Sequence, residues 1–195
     1  MRGAATMKCA STGRRQFLGS MVLAWAAIGP AGAQPVTIDT KSEGEIITVT
    51  ASADLIVAPG TVWNAISDYD HLADFIPDMR SSRVLRRDGN KVLVAQSGHF
   101  GFLFFRQPVE VKLEVLETPQ RRIVARAVGG NLREMEGRYV VDALPSGAVR
   151  LSYSGRLVPD FPVPPIVGKL VVRNILSRQF SALVKEIIRR DAATR

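Results

Sequence analysis

The sequence predicts an α+β domain: a curved antiparallel sheet, two short helices and one long C-terminal helix lying over a cavity. Three observations lead there. Apolar residues recur at every second position through much of residues 80–158, broken by short turns bearing Gly, Pro or Asn, as expected of strands joined in hairpins. Two brief helical patterns precede that run, between Thr61 and Pro77. Near the C-terminus the period changes to that of a helix, with Phe180, Leu183, Val184 and Ile187 at positions i, i+3, i+4 and i+7.

Residues 46–57, Ile-Ile-Thr-Val-Thr-Ala-Ser-Ala-Asp-Leu-Ile-Val, are rich in β-branched side chains and open the sheet. Ala58-Pro59-Gly60-Thr61 turns the chain. Thr61 is placed to cap a helix over 62–67, and Asp70 to cap a second helix that Pro77 stops. Residues 83–87 then run into Asp88-Gly89-Asn90, a hairpin signal, and strands over 91–96 and 98–105 follow. Val109, Val111, Leu113 and Val115 alternate with Glu110, Lys112 and Glu114, so the four apolar residues share one face. Thr118-Pro119-Gln120, Gly129-Gly130-Asn131 and Pro145-Ser146-Gly147 separate further strands over 122–128, 137–144 and 149–158. Such short turns imply an antiparallel meander of six strands rather than a parallel sheet. Pro162-Val163-Pro164-Pro165 introduces the last helix, which continues to about Arg190 and would be ~35–40 Å long. Residues 34–45 are polar and irregular, and read as a linker or frayed end.

The front of the chain has a different character. Arg2, Lys8, Arg14 and Arg15 form a basic head, followed by an uncharged run from Gln16 to Ile38 that is apolar over 18–28. Gly29-Pro30-Ala31-Gly32-Ala33 closes it with small residues, which predicts an export signal cleaved near Ala33. Arg14-Arg15-Gln16-Phe17-Leu18 resembles a twin-arginine signal, which routes folded proteins into the bacterial periplasm. An uncleaved anchor is the alternative, although the apolar run is short for a span of about 20 residues. The domain plan is thus a signal over 1–33, a linker over 34–45 and one ligand-binding domain over 46–192. Cys9, the only cysteine, belongs to the signal, so the mature fold relies on its core.

Removing Arg2, Lys8, Arg14 and Arg15 from the 26 basic residues leaves 22 against 18 acidic, and the net charge falls from +8 to +4. The arginines are dispersed and not interleaved with aromatics, which argues against a nucleic-acid partner. Peripheral contact with an anionic membrane surface stays open.

Asp68, Leu72, Phe75-Ile76-Pro77 and Ser82-Arg83-Val84 make the most specific pattern in the chain. It resembles the START-like (SRPBCC) superfamily, in particular its coenzyme Q-binding and polyketide cyclase/dehydratase branch. The resemblance extends over residues 46–190, mostly in the order and length of the elements. It implies the helix-grip fold, with the long helix across a curved sheet and a cavity between them. It further implies a binding or transport protein for a hydrophobic small molecule, such as a quinone, isoprenoid or lipid. The alternative is a cyclase/dehydratase-like enzyme using the same cavity.

Single motifs narrow this reading. Asp68, Asp70, Asp74 and Asp78 crowd one segment, but Leu72 and Ala73 stand where a calcium loop needs an oxygen ligand and a glycine. No metal site or cofactor is expected, and the acids read as helix caps and partners of arginines. No Gly-x-Ser-x-Gly elbow accompanies His71 or His99, so no catalytic residue is assigned, though His99 is the better acid/base candidate. Phe100, Phe102 and Phe104 share one strand face, as core or as a wall of the pocket. Arginines occupy the opposite alternation from Tyr139 and Tyr153, which turns both phenols inward with Val141, Leu151, Gly155 and Leu157. The expected ligand-binding set is Phe75 (at the mouth), His99, Phe100, Phe102, Val111, Leu113, Tyr139, Tyr153, Leu157 and Phe180.

Overall fold

The computed structural model describes residues 36–102, 105–160 and 165–195, with side chains excepted at 101, 102, 105, 106, 159 and 165–170. The expected export signal and Phe104 lie outside the described residues. The elements run β1 (Thr37–Glu43), β2 (Ile46–Leu55), α1 (Pro59–Ile66), a single 3-10 turn (Tyr69–His71), α2 (Leu72–Phe75) and β3 (Met79–Asp88). Then come β4 (Lys91–Phe102), β5 (Phe105–Thr118), β6 (Arg122–Gly130), β7 (Leu132–Ala143), β8 (Val149–Pro159) and α3 (Pro165–Ala192).

All eight strands form one antiparallel sheet in the order β1-β2-β8-β7-β6-β5-β4-β3. β3 to β8 are the expected six-strand meander, and β8 closes it against β2. The class is the predicted one: α+β, two short helices and a long C-terminal helix. Bulges at Val84/Arg86 and Lys112/Leu113 bend the sheet. At the second bend Gly130 has φ +114, and a side chain there would collide with the Glu110 carbonyl. Asn131 locks this corner: its amide accepts from the Glu110 N–H and donates to the Pro108 carbonyl.

Several local expectations are corrected. Residues 37–43 form an edge strand, not a linker; pairing with β2 engages one side of their backbone although Thr-Ile-Asp-Thr-Lys-Ser-Glu carries little apolar signal. Residues 91–102 are one strand, because Gly98 continues the ladder against Val109. Thr61 does not cap α1. That helix starts at Pro59 after Ala58, with no side-chain cap of its own. Asp70 caps nothing either; its carboxylate accepts the Val84 N–H at 2.8 Å and fastens the 3-10 turn to β3.

The core fills the concave side of the sheet. Leu55, Val62, Leu151 and Ile187 are fully buried there, and the predicted α3 stripe of Phe180, Leu183, Val184 and Ile187 faces it. At 28 residues, α3 extends ~42 Å, enough to cross the sheet and meet α1 at its far end.

Candidate functional site

Strand alternation and the helical stripe leave apolar side chains facing one another, yet they do not fill the space. Two adjoining lobes that share part of their lining remain. The inner one, ≈ 170 Å³, lies between Leu113, Val115 and Ile123 of the sheet, Tyr69 and Leu72 of the short helices, and Phe180 and Leu183 of α3. The outer one, ≈ 200 Å³, lies between His99, Phe100, Val109, Val111 and Leu157 of the strands and Val172 and Ile175 of α3. Met79, Gln96, Met135, Tyr153, Leu176 and Gln179 line both and form the waist between them. Among the described lining residues none is Lys, Arg, Asp or Glu.

Tyr139 and Tyr153 are opposite each other on β7 and β8, with ring centroids 4.8 Å apart at 43°. The Tyr153 ring rests on Gly137 and Gly155, themselves a cross-strand pair. A Cβ on Gly155 would come 2.5 Å from the Tyr153 hydroxyl, and one on Gly137 3.2 Å. These glycines are the space the phenol occupies. Neither tyrosine hydroxyl has a hydrogen-bond partner among the described residues. Burial raises both phenols, Tyr153 to about 12, so both remain O–H donors. The flanking amides are differently employed: Gln96 donates to Ser82 Oγ at 3.2 Å and Gln179 to the Pro77 carbonyl at 3.1 Å.

The inner end is shut by a polar network. Tyr69 donates to Glu117 at 2.8 Å, Glu117 accepts from Arg87 at 3.0 Å, and the Arg87 guanidinium lies 5.9 Å from the Tyr69 ring centre. Burial and then the Glu117 carboxylate push the Tyr69 phenol far above its ordinary value. At the waist the Pro77–Met79 loop is held from two sides. Asp78 pairs with Arg178 of α3 at 2.6 Å, and its carbonyl accepts the His99 N–H at 2.9 Å. Asp78 has φ +64, a left-handed conformation uncommon outside glycine that Asp adopts more readily than most residues.

The expected ligand-binding residues separate by position. Leu113, Tyr139 and Phe180 line the inner lobe, His99, Phe100, Val111 and Leu157 the outer, and Tyr153 both. The Phe102 side chain lies outside the described residues. Phe75 lines neither lobe: its ring packs at the edge of the core, 5.5 Å from the Arg190 guanidinium. Met79, Gln96, Met135, Leu176 and Gln179 went unread because thioethers, amides and a lone leucine carry no periodic signal. The aspartates act as tethers: Asp68 accepts from His71 at 2.6 Å and pairs with Arg190 at 3.0 Å. Among the described residues no three His, Cys, Asp or Glu converge as a metal site.

The model of the family described as polyketide cyclase / dehydrase and lipid transport matches residues 57–184. The chain belongs to this family. That span takes in α1 through most of α3, and so every described wall of the cavity except the strand β2 that supplies Ala51. No curated protein matches the chain. Solved structures show the same fold at low identity. The Zhui aromatase/cyclase from a Streptomyces species aligns with TM-score 0.62 at 13% identity, over 75% of this chain and 94% of that one. A STAR-related lipid transfer protein from Xanthomonas axonopodis gives 0.62 at 11%, over 78% and 93%. A START superfamily protein from Mycobacterium smegmatis gives 0.59 at 14%, over 76% and 99%. The polyketide cyclase / dehydrase and lipid transport family thus accounts for the helix-grip architecture, and this chain's own side chains set the lining.

Proposed function

We propose that this chain is an exported binding or transport protein that sequesters a hydrophobic small molecule, of quinone, isoprenoid or lipid kind, between its sheet and α3. The two-lobed apolar cavity carries the reading. Each methylene transferred there from water contributes roughly 0.8 kcal/mol, so a modest hydrocarbon outweighs the cost of ordering it. Cleavage near Ala33 and delivery to the periplasm are part of the proposal, tested by N-terminal sequencing of the protein recovered from cell fractions. The decisive experiment is solvent extraction of the protein purified from its host, followed by mass spectrometry. A stoichiometric apolar compound supports sequestration. Protein that carries none, and that shifts the fluorescence of no apolar probe, overturns it.

A second reading, a cyclase/dehydratase-like enzyme, is favoured by one observation: His99 and two phenols with free hydroxyls line the same cavity. There the imidazole would move a proton while the cavity holds the substrate folded. Turnover of poly-β-ketone substrates that falls by an order of magnitude or more in His99→Ala, with binding retained, supports it; unchanged turnover removes His99 from the role. Peripheral membrane contact is the remaining proposal. Among the described residues no helix is long and apolar enough to cross a membrane, and Arg189 and Arg190 are already engaged by Glu186. Co-sedimentation with anionic but not neutral vesicles tests it.

A further inference from the structure

We infer that the cavity selects an uncharged, elongated apolar molecule with a carbonyl oxygen near its middle, and that the Tyr153 hydroxyl donates to that oxygen at the waist. The inference rests on the binding reading above and deepens it.

Three observations carry it. Among the described lining residues of both lobes there is no Lys or Arg to balance an anion and no carboxylate to balance a cation. A charged group drawn inside would lose its hydration without compensation, which disfavours fatty acids and phosphate-bearing headgroups. Next, the ring of Tyr153 is seated over Gly137 and Gly155, a site that a side chain at either position would invade. Two strands therefore leave room for one phenol, whose hydroxyl then finds no partner among the described residues. The residue is only half-buried and its O–H faces the open cavity, where a ligand oxygen can accept from it. Finally, Tyr153 faces both lobes, whereas Tyr139 faces only the inner one. An oxygen bound to Tyr153 thus has apolar walls on either side, Leu113 and Phe180 inward, Val111 and Leu157 outward. That places the polar atom mid-molecule rather than at its end.

The neighbouring polar groups favour an acceptor. Gln96 and Gln179 each commit one N–H, to Ser82 and Pro77, whereas the two phenols spend no O–H on any described residue. A carbonyl oxygen, with two lone pairs and no proton, is the complementary group.

Three naphthalene probes separate the alternatives: 6-propionyl-2-dimethylaminonaphthalene, a ketone whose emission reddens on accepting a hydrogen bond; 2-dimethylaminonaphthalene, which lacks the carbonyl; and 6-dimethylamino-2-naphthoate, its carboxylate counterpart. Fluorescence titration of the purified protein should give the ketone about three- to tenfold tighter binding than the carbonyl-free compound, the range one neutral hydrogen bond supplies. The carboxylate should bind least. In Tyr153→Phe the ratio of the first two affinities should fall to about one and the bound ketone's emission should move to the blue. Circular dichroism and thermal melting of the same preparation verify that this variant is folded. A ratio near one in the unaltered protein, a preference for the carboxylate, or a ratio lost only in Tyr139→Phe overturns the assignment. If none of the three probes binds to protein stripped of co-purified compounds, the inference falls, and the sequestration reading falls with it when solvent extraction also yields no apolar compound.

Discussion

Asp191, in the last turn of α3, accepts the Ala58 backbone N–H at 2.9 Å and the Thr61 hydroxyl at 3.4 Å, 133 and 130 residues away in sequence. Ala58 begins α1 without a side chain able to cap it. The acceptor that a nearby Glu would ordinarily provide in a capping box comes from the opposite end of the domain. One buried carboxylate thus starts α1 and pins the end of the helix that roofs the cavity.

Asp191→Ala should lower the unfolding free energy by about 1–2 kcal/mol, the usual loss for a helix cap, measured by urea denaturation. Asp191→Asn keeps an acceptor oxygen and should lose less. The Ala58 N–H bond holds this carboxyl below its ordinary value. Its folded pKa is therefore depressed, and its contribution is complete above the unfolded value of 3.8 and lost as pH falls through the folded one. Equal stability of Asp191→Ala and the unaltered protein at neutral pH would refute the cap.

Glu186 should govern part of the acid unfolding. Its bonds to Arg189 and then Arg190 hold its carboxyl down to about 2. The contribution should be complete above 4.5, the unfolded value, and should vanish as pH falls toward 2. Glu186→Gln should accordingly be less stable than the parent at neutral pH and should converge with it in acid. Urea midpoints at several pH values give the test; a constant gap would show that the pairing does not depend on ionisation.

The meander was legible because each of its strands has one wet and one dry face, and the same alternation turned Tyr139 and Tyr153 inward. The α3 stripe was legible for the equivalent reason at helical period. Local period says nothing of partners distant in sequence, however. β1 was read as a linker because an edge strand is held by backbone bonds to β2 rather than by apolar side chains. Thr61 and Asp70 looked like caps, while Asp191 and the Val84 N–H were their unseen competitors. The waist was missed on the same ground: Gln96 and Gln179 become a site only when β4 and α3 meet. The Gly137–Gly155 seat exists only in the register of β7 with β8.

The protein's three tyrosines, Tyr69, Tyr139 and Tyr153, are all raised, by burial first in each case and at Tyr69 also by Glu117. Raised folded values mean stability that is complete below the unfolded value of 10.0 and drains away as pH climbs toward the folded ones. Spectrophotometric titration should show almost no phenolate near the ordinary phenol value, followed by a cooperative rise coincident with loss of far-ultraviolet dichroism. A smooth titration of even one phenol while the protein stays folded would contradict the burial described here.

Arg178→Ala should loosen the Pro77–Met79 loop at the waist. The guanidinium restrains Asp78, whose carbonyl in turn holds the His99 N–H. Hydrogen exchange at the His99 amide should accelerate by up to about fivefold, with little change in global stability, because a pair this exposed contributes about 0–1 kcal/mol. Unaltered exchange at His99 would mean that the β4 contact alone fixes the loop.

Gly155→Ala and Gly137→Ala should differ in severity, because the two glycines approach the Tyr153 ring to different degrees. At Gly155 the new methyl would lie 2.5 Å from the hydroxyl oxygen and 2.9 Å from the carbon bearing it, whereas at Gly137 the nearest approach is 3.2 Å. The phenol cannot flex, so at Gly155 the whole ring must swing into the waist. Overpacking of this kind costs about 1–3 kcal/mol, and the displaced ring takes the space a ligand would use. Gly155→Ala should therefore lower the urea midpoint, alter the tyrosine bands of the near-ultraviolet dichroism and weaken binding of an apolar probe. Gly137→Ala should do each of these to a smaller extent. Equal effects from the two substitutions, or an unchanged tyrosine spectrum in Gly155→Ala, would show that the ring does not rest on this pair.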